Sequence, residues 1–292
     1  MPAHALIELR DVDISAGSQA LVRRLSLDIA PGRVLVIVSE RADTRTALTS
    51  VLAGAIEDYT VGGDLVMEGR ELIGRVASGT QAEQHVARIQ GPIDVRTRVR
   101  DLAAADVLAR VQLDALTVVD ERVHALDEED RIRAAFAAAL SRSPRLLVFD
   151  LPYRAEAGNP YAVYASLVHR LSREDDLAMV ITTDSLAVAA DLADEVLVTL
   201  DGVACEYGSV YDVCTRPASP YVRDLLRVTP SPHRELPDIT TFVDLARHEG
   251  CPWVLNCRED VLRACAHITP SLFPVAPGHS AACHLIGADD GS

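Results

Sequence analysis

The chain has 292 residues, 49% of them apolar, enough for one large domain or two moderate ones around a real core. Its formal charge is −15, with 43 acidic against 28 basic residues, which argues against a nucleic-acid role driven by backbone electrostatics. All the basic residues are arginine, so no lysine is present to sit on a phosphate.

Met1-Pro-Ala-His-Ala5 has neither a basic flank nor a long apolar run, so no secretory signal is expected. No stretch of about 18 apolar residues occurs, so no membrane span is expected. A cytosolic setting follows, where disulfides are rare. Six cysteines, four of them clustered near the end, then point to metal rather than to cross-links.

In chain order, Leu6–Val12 and Leu25–Ile29 read as strands, followed by a Pro31-Gly32 turn. Val34–Val38 is apolar without a break, as expected of a strand buried on both faces of a parallel sheet. A polar turn follows, and Thr46–Gly54 reads as a helix closed by glycine. Strand, tight turn and helix is the architecture of a phosphate-binding loop, where bare backbone N–H groups cradle an anion. The pattern asks for Gly, four residues, then Gly-Lys-Ser/Thr. The matching positions are Ser39, Thr44, Arg45 and Thr46.

Leu65–Met67 reads as a short strand, Arg98–Val111 as a helix, and Asp127–Leu140 as a strong helix with an acidic first turn. Leu146–Asp150 is a second buried strand, ending in a carboxylate. Ala162–Leu171 is expected to be a helix, Ala178–Thr182 a third buried strand, and Leu186–Leu192 a helix. Val196–Leu200, the Asp201-Gly202 turn and Val203–Tyr207 make a hairpin. The alternation argues an α/β sheet. Pro230, Pro232 and Pro237 mark a linker before a tail in which Cys251, Cys257, Cys265 and Cys283 are spaced C-x5-C-x7-C-x17-C. Four thiolates suit an iron–sulfur cluster or a structural zinc, and spacing leaves both open, along with four unmetallated thiols. Cys205 and Cys214 read as small packing residues.

Several segments together resemble the ATP-binding subunit of ABC transporters, in the oligopeptide/dipeptide/nickel importer branch. They are "VRRLSLDIAPG" (Val22 to Gly32), Gln90 at the Q-loop, and "ALSRSPRLLVFDLP" (Ala139 to Pro152) at the Walker B strand. To these are added "ADEVLVTLDGVACEYGSVYDV" (Ala193 to Val213) and "RPASPYVRDLL" (Arg216 to Leu226). The resemblance implies a RecA-like ABC ATPase domain over residues 1–228, with an antiparallel β-subdomain and a helical subdomain at about 91–141. Residues 229–292 would form a linker and a four-cysteine extension. Only 35 residues separate Gln90 from Leu126, so that helical subdomain is shortened.

By the same resemblance, Ser39, Thr44, Arg45, Thr46, Gln90 and Asp150 stand where ATP and Mg²⁺ would be held. Ala16 replaces the aromatic residue that stacks on adenine. Leu151 stands where a glutamate would polarise the attacking water, and Thr183 replaces the switch histidine. The signature segment, which binds the γ-phosphate across the dimer, is Leu126-Asp-Glu-Glu-Asp130. Acidic residues there stabilise their own helix by about 0.3–1 kcal/mol each and repel an anion. The tail resembles a run that holds a [4Fe–4S] cluster in some members of the branch, on Cys251, Cys257, Cys265 and Cys283, with zinc as the alternative. His279 and His284 read as neighbours of that site or surface groups rather than ligands.

The resulting expectation is a degenerate, weakly or non-catalytic nucleotide-binding subunit of a peptide importer. It would pair with a second ATPase subunit and with permease subunits at the inner face of the cell membrane. The alternatives are a diverged but working transport ATPase, and an iron–sulfur binding or sensing protein on the same scaffold.

Overall fold

The computed structural model describes residues 5–71, 86–89, 96–113, 118–151, 161–173, 177–229, 250–259 and 262–286. The strands are β1 (Ile7–Ala16), β2 (Gln19–Ile29), β3 (Val34–Ser39), β4 (Thr60–Met67), β5 (Arg70–Glu71) and β6 (Val86–Arg88). After them come β7 (Leu146–Asp150), β8 (Ala178–Thr183), β9 (Glu195–Leu200), β10 (Val203–Ser209), β11 (Phe273–Ala276) and β12 (His279–Ala281). The helices are α1 (Ala42–Leu52), α2 (Ala105–Arg110), α3 (Glu128–Leu140), α4 (Tyr161–Leu171), α5 (Leu186–Leu192), α6 (Val210–Thr215) and α7 (Pro220–Val228). None of them is long and apolar enough to cross a membrane.

The strands lie in the order β5-β4-β1-β2-β10-β9-β3-β8-β7-β6. β9, β3, β8, β7 and β6 are parallel to one another, and β1, β2, β4 and β5 form an antiparallel wing. All six residues of β3 and of β8 are buried, as central parallel strands must be. Period-two alternation splits β3 between two cores. Val34, Val36 and Val38 pack with Phe136, Phe149 and Leu167, whereas Leu35 and Ile37 pack with Leu48, Leu27 and Leu9.

Two expected helices are corrected. α1 starts at Ala42, not Thr46, and ends at Leu52. Arg98–Val111 is not one helix: Val99–Asp101 is a 3₁₀ turn, and only Ala105–Arg110 is α-helical. The tail also does more than extend the chain. β12 pairs antiparallel with β10, placing Glu206 opposite Ala281 and Tyr207 opposite Ser280. Pro230, Pro232, Pro237 and Gln90 lie outside the described residues.

Candidate functional site

Only Glu40 and Arg41 separate β3 from α1, so the polar stretch meant to curl around a phosphate is already helix. No glycine interrupts Ser39–Thr46, and L-residues without a forced left-handed turn settle into the α region. Two of the backbone donors are then taken from within. Arg45 N–H donates to the Arg41 carbonyl at 3.1 Å, and Thr44 N–H donates to Asp43 Oδ1 at 2.8 Å. The Thr44 hydroxyl turns away and donates to the Leu21 carbonyl at 3.0 Å. Thr46 alone of this set is exposed.

Arg45 closes the site from inside. Its side chain is only 6% exposed, and its Nε lies 2.9 Å from Asp150 Oδ1. Its Nη1 donates to the Ser39 carbonyl at 2.9 Å. Asp150 Oδ1 also accepts the Thr182 hydroxyl at 2.8 Å. The carboxylate at the end of β7 therefore faces a fixed cation of this same chain. Ser39 is fully buried, and its hydroxyl has no hydrogen-bond partner among the described residues.

The other positions are closed as well. Leu151 is buried in the core, with its N–H donating to the Thr182 carbonyl at 2.8 Å. Thr183 is buried, and its hydroxyl oxygen accepts from Ser185 N–H at 3.2 Å. Asp127 caps α3, accepting Asp130 N–H at 2.8 Å, with Glu128, Glu129 and Asp130 in the first turn. Asp127 thus caps one of the free donors of that helix end, and the three carboxylates after it suit the positive end of its dipole.

A charged network that the sequence did not suggest rims this region. Arg41 pairs with Asp43 at 2.5 Å and with Asp201 at 3.3 Å, and Arg23 pairs with Asp201. Gln19 donates to Asp43 at 2.7 Å, and Glu40 accepts the Asp201 N–H at 2.8 Å. The Arg41 guanidinium holds the Asp43 carboxyl below the usual carboxylate range.

At the far side of β10, Cys251, Cys257, Cys265 and Cys283 line one largely apolar pocket. Cys205, Tyr221 and Trp253 are among its other lining residues. Cys205 is thus a buried packing residue, as expected, but one that faces the other four thiols. Burial pushes Cys251 up to about 11, and the neighbouring Cys265, Cys283 and Cys257 add to the shift. Burial likewise raises Cys257. Gly250 lets the two cysteine loops touch: a Cβ there would lie 2.3 Å from the Cys265 carbonyl oxygen, and Cys251 N–H donates to that oxygen at 2.8 Å.

Among the described residues, no group of three His, Cys, Asp or Glu side chains is gathered tightly enough to hold a metal ion. A tetrahedral zinc, with Zn–S bonds of about 2.3 Å, needs its sulfurs about 3.8 Å apart. The donor set of four thiols in a largely apolar pocket suits a thiophilic group, and the buried Asn256 Nδ2, next in sequence to Cys257, has no acceptor among the described residues. His284 Nε2 lies 2.8 Å from the Ile268 carbonyl oxygen. His279 is no surface group. It is buried, with Nε2 2.7 Å from Glu206 Oε1, a pair that no local sequence signal announces.

Curated relatives share this chain's length and order. The oligopeptide transport ATP-binding protein OppD of Salmonella typhimurium is 26% identical over 317 residues, covering 97% of this chain and 94% of its own. A probable peptide ABC transporter ATP-binding protein, y4tR, of Sinorhizobium fredii is 29% identical, covering 96% and 95%. Among solved structures, cbiO1 of Clostridium perfringens, part of an ABC transporter complex, matches with a TM-score of 0.61 at 14% identity, covering 73% of this chain and 92% of its own. The ADP conformation of another ATP-binding cassette matches with a TM-score of 0.61 at 13% identity, covering 75% and 98%. These two support the fold alone. No family model matches the chain.

Proposed function

We propose, for a chain that belongs with the ATP-binding subunits of peptide ABC transporters, that it serves as a non-hydrolysing nucleotide-domain subunit of such an importer. The observation that carries this reading is Arg45, buried and paired with Asp150, in place of a lysine reaching outward. The guanidinium and the early start of α1 occupy the ground that Mg²⁺ and the β/γ-phosphates need. With Leu151 in the core, the residue that follows Asp150 offers no carboxylate as general base, a loss of typically about 10²–10⁴ in rate. The subunit then contributes its fold to an assembly with an intact ATPase subunit and permease subunits, at the inner face of the membrane. Residues 1–228 supply the nucleotide-type domain.

The test is the pure chain with Mg²⁺ and ATP. We expect no phosphate release above background and no heat of ATP binding by titration calorimetry. Turnover of roughly one per second, ordinary for an enzyme, would establish a working transport ATPase instead.

A second reading concerns the pocket. It takes a [4Fe–4S] cluster to be held on Cys251, Cys257, Cys265 and Cys283, because all four thiols line one largely apolar space. Such a cluster would supply a one-electron redox response or a cross-link between the tail loops. Binding it requires four thiols to lose their protons, so loading should be steeply pH-dependent. Anaerobic reconstitution with iron and sulfide should give a brown protein bleached by dithionite, and a colourless zinc-loaded product would replace this reading.

A further inference from the structure

Glu206 has no exposed side-chain surface, yet it is a carboxylate. Its burial is matched by three donors from two other segments. Ala218 N–H reaches Oε1 at 2.9 Å, Ser219 N–H reaches Oε2 at 2.8 Å, and His279 Nε2 lies 2.7 Å from Oε1. In the tautomer protonated at Nε2, the imidazole donates to this carboxylate oxygen. Glu206 thereby joins β10, the start of α7 and the tail hairpin in one buried node. Its surroundings are shaped for this. Gly208 leaves room for the His279 ring, since a Cβ there would lie 3.0 Å from Cδ2. Ala282 N–H donates to the Cys205 carbonyl at 2.8 Å, fastening the chain one residue before Cys283. Ser219, Pro220 and Tyr221, at or beside the node, line the cysteine pocket.

We propose that Glu206 and His279 form a positioning pair that latches the tail onto β10 and so holds the cysteine pocket closed. Neither is a ligand. The pair fixes where Cys283 and Cys205 stand relative to the Cys251–Cys265 loops. The inference rests on the pocket being a binding site, because a latch matters only where something must be held.

The test uses the full chain, freed of metal with chelator and reductant. Iodoacetamide alkylation of each cysteine under native conditions is followed by peptide mass mapping. Emission of Trp253, the chain's one tryptophan, which packs 4.9 Å from Tyr221 between ring centroids, is read in parallel. Glu206→Gln and His279→Gln should each speed alkylation of Cys205 and Cys283 about tenfold or more, the factor for losing one hydrogen bond to a charged group. Trp253 emission should move to the red, and in His279→Gln, which leaves in place the Glu206 charge that bears on Cys214, that thiol, outside the pocket lining, should keep its wild-type rate. The double variant should be no faster than the worse single, as for two halves of one contact. Gly208→Ala, which crowds the ring without disturbing a buried charge, should give the same pattern if Glu206→Gln does not fold.

Wild-type protection in folded single variants would overturn the latch. So would rate increases that multiply in the double variant, or an equal rise at Cys214 in His279→Gln. The metal is scored separately: a wild-type chain that takes up neither iron nor zinc on reconstitution defeats the cluster reading, while thiol protection still judges the latch.

Discussion

Replacing Asp150 with asparagine probes the internal closure most directly. The amide keeps the volume and an acceptor for Thr182 and Arg45, and removes only the charge. Arg45 is then left in a site where its side chain is 6% exposed, without a counter-charge. Breaking a buried pair in this way costs about 3–5 kcal/mol. Asp150 is 32% exposed, so water screens part of the interaction, and the lower end, about 3 kcal/mol, is expected.

Arg45→Met is the gentler cut. It fills the stem's volume with an apolar chain and leaves Asp150 with the Thr182 hydroxyl and water, at about 1–2 kcal/mol. The double variant should cost about 2 kcal/mol less than the sum, because the two residues act on one contact. Urea unfolding gives these differences, and Tm should fall by about 6–12 °C for Asp150→Asn at about 2–4 °C per kcal/mol. Mg-ATP should leave the wild-type midpoint where it is, whereas a ligand at 100 times its Kd adds about 2.7 kcal/mol. An Asp150→Asn cost under about 1 kcal/mol, the scale of an exposed ion pair, or strict additivity in the double variant, would refute the closure.

Leu151→Glu should not restore hydrolysis. It places a carboxylate in the core cluster that also holds Val163 and Leu186, so a loss of several kcal/mol with no phosphate release is expected by urea unfolding and a phosphate assay. Asp127→Ala should cost about 1 kcal/mol through the lost cap of α3, read as a lower urea midpoint and faster amide exchange in its first turn. For pH dependence, Asp43 is held below its usual value by Arg41, so its contribution is present above the unfolded value and fades as pH falls through the folded one. The urea midpoint should therefore drop below about pH 4, and Asp43→Asn should flatten that part of the curve.

The buried strands were legible because uninterrupted apolar runs such as Val34–Val38 and Leu146–Phe149 suit few other environments. Leu186–Leu192 matches α5 at both ends, and Asp127 caps α3 as its acidic first turn implied. The start of α1 was misplaced because the phosphate-loop pattern was laid over residues lacking its glycines. Ala42, Asp43 and Thr44 have ordinary helical freedom and took it. Gly54 still follows the helix, its N–H donating to the Val51 carbonyl at 3.0 Å, two residues after the last helical position. Arg98–Val111 is broken despite good helix formers at Ala103 and Ala104: Val99–Asp101 tightens into a 3₁₀ turn, and Ala104 is extended as the N-cap from which α2 starts afresh. Glu206 and His279 were out of reach, 73 residues apart and joined only through the register of β10 against β12. Each looks unremarkable in its own neighbourhood.

β10 meets β2 through a single residue pair, Val203 with Arg23, before the antiparallel wing parts from it. From Glu206 onward that margin would lie bare had β12 not come to cover it. An uncovered strand margin invites pairing with other chains. A version of this protein cut after Val228 should consequently clump through that margin, whatever the thiols hold. Selection on solubility alone would then preserve the last few dozen residues, and their survival need not track the fate of any prosthetic group.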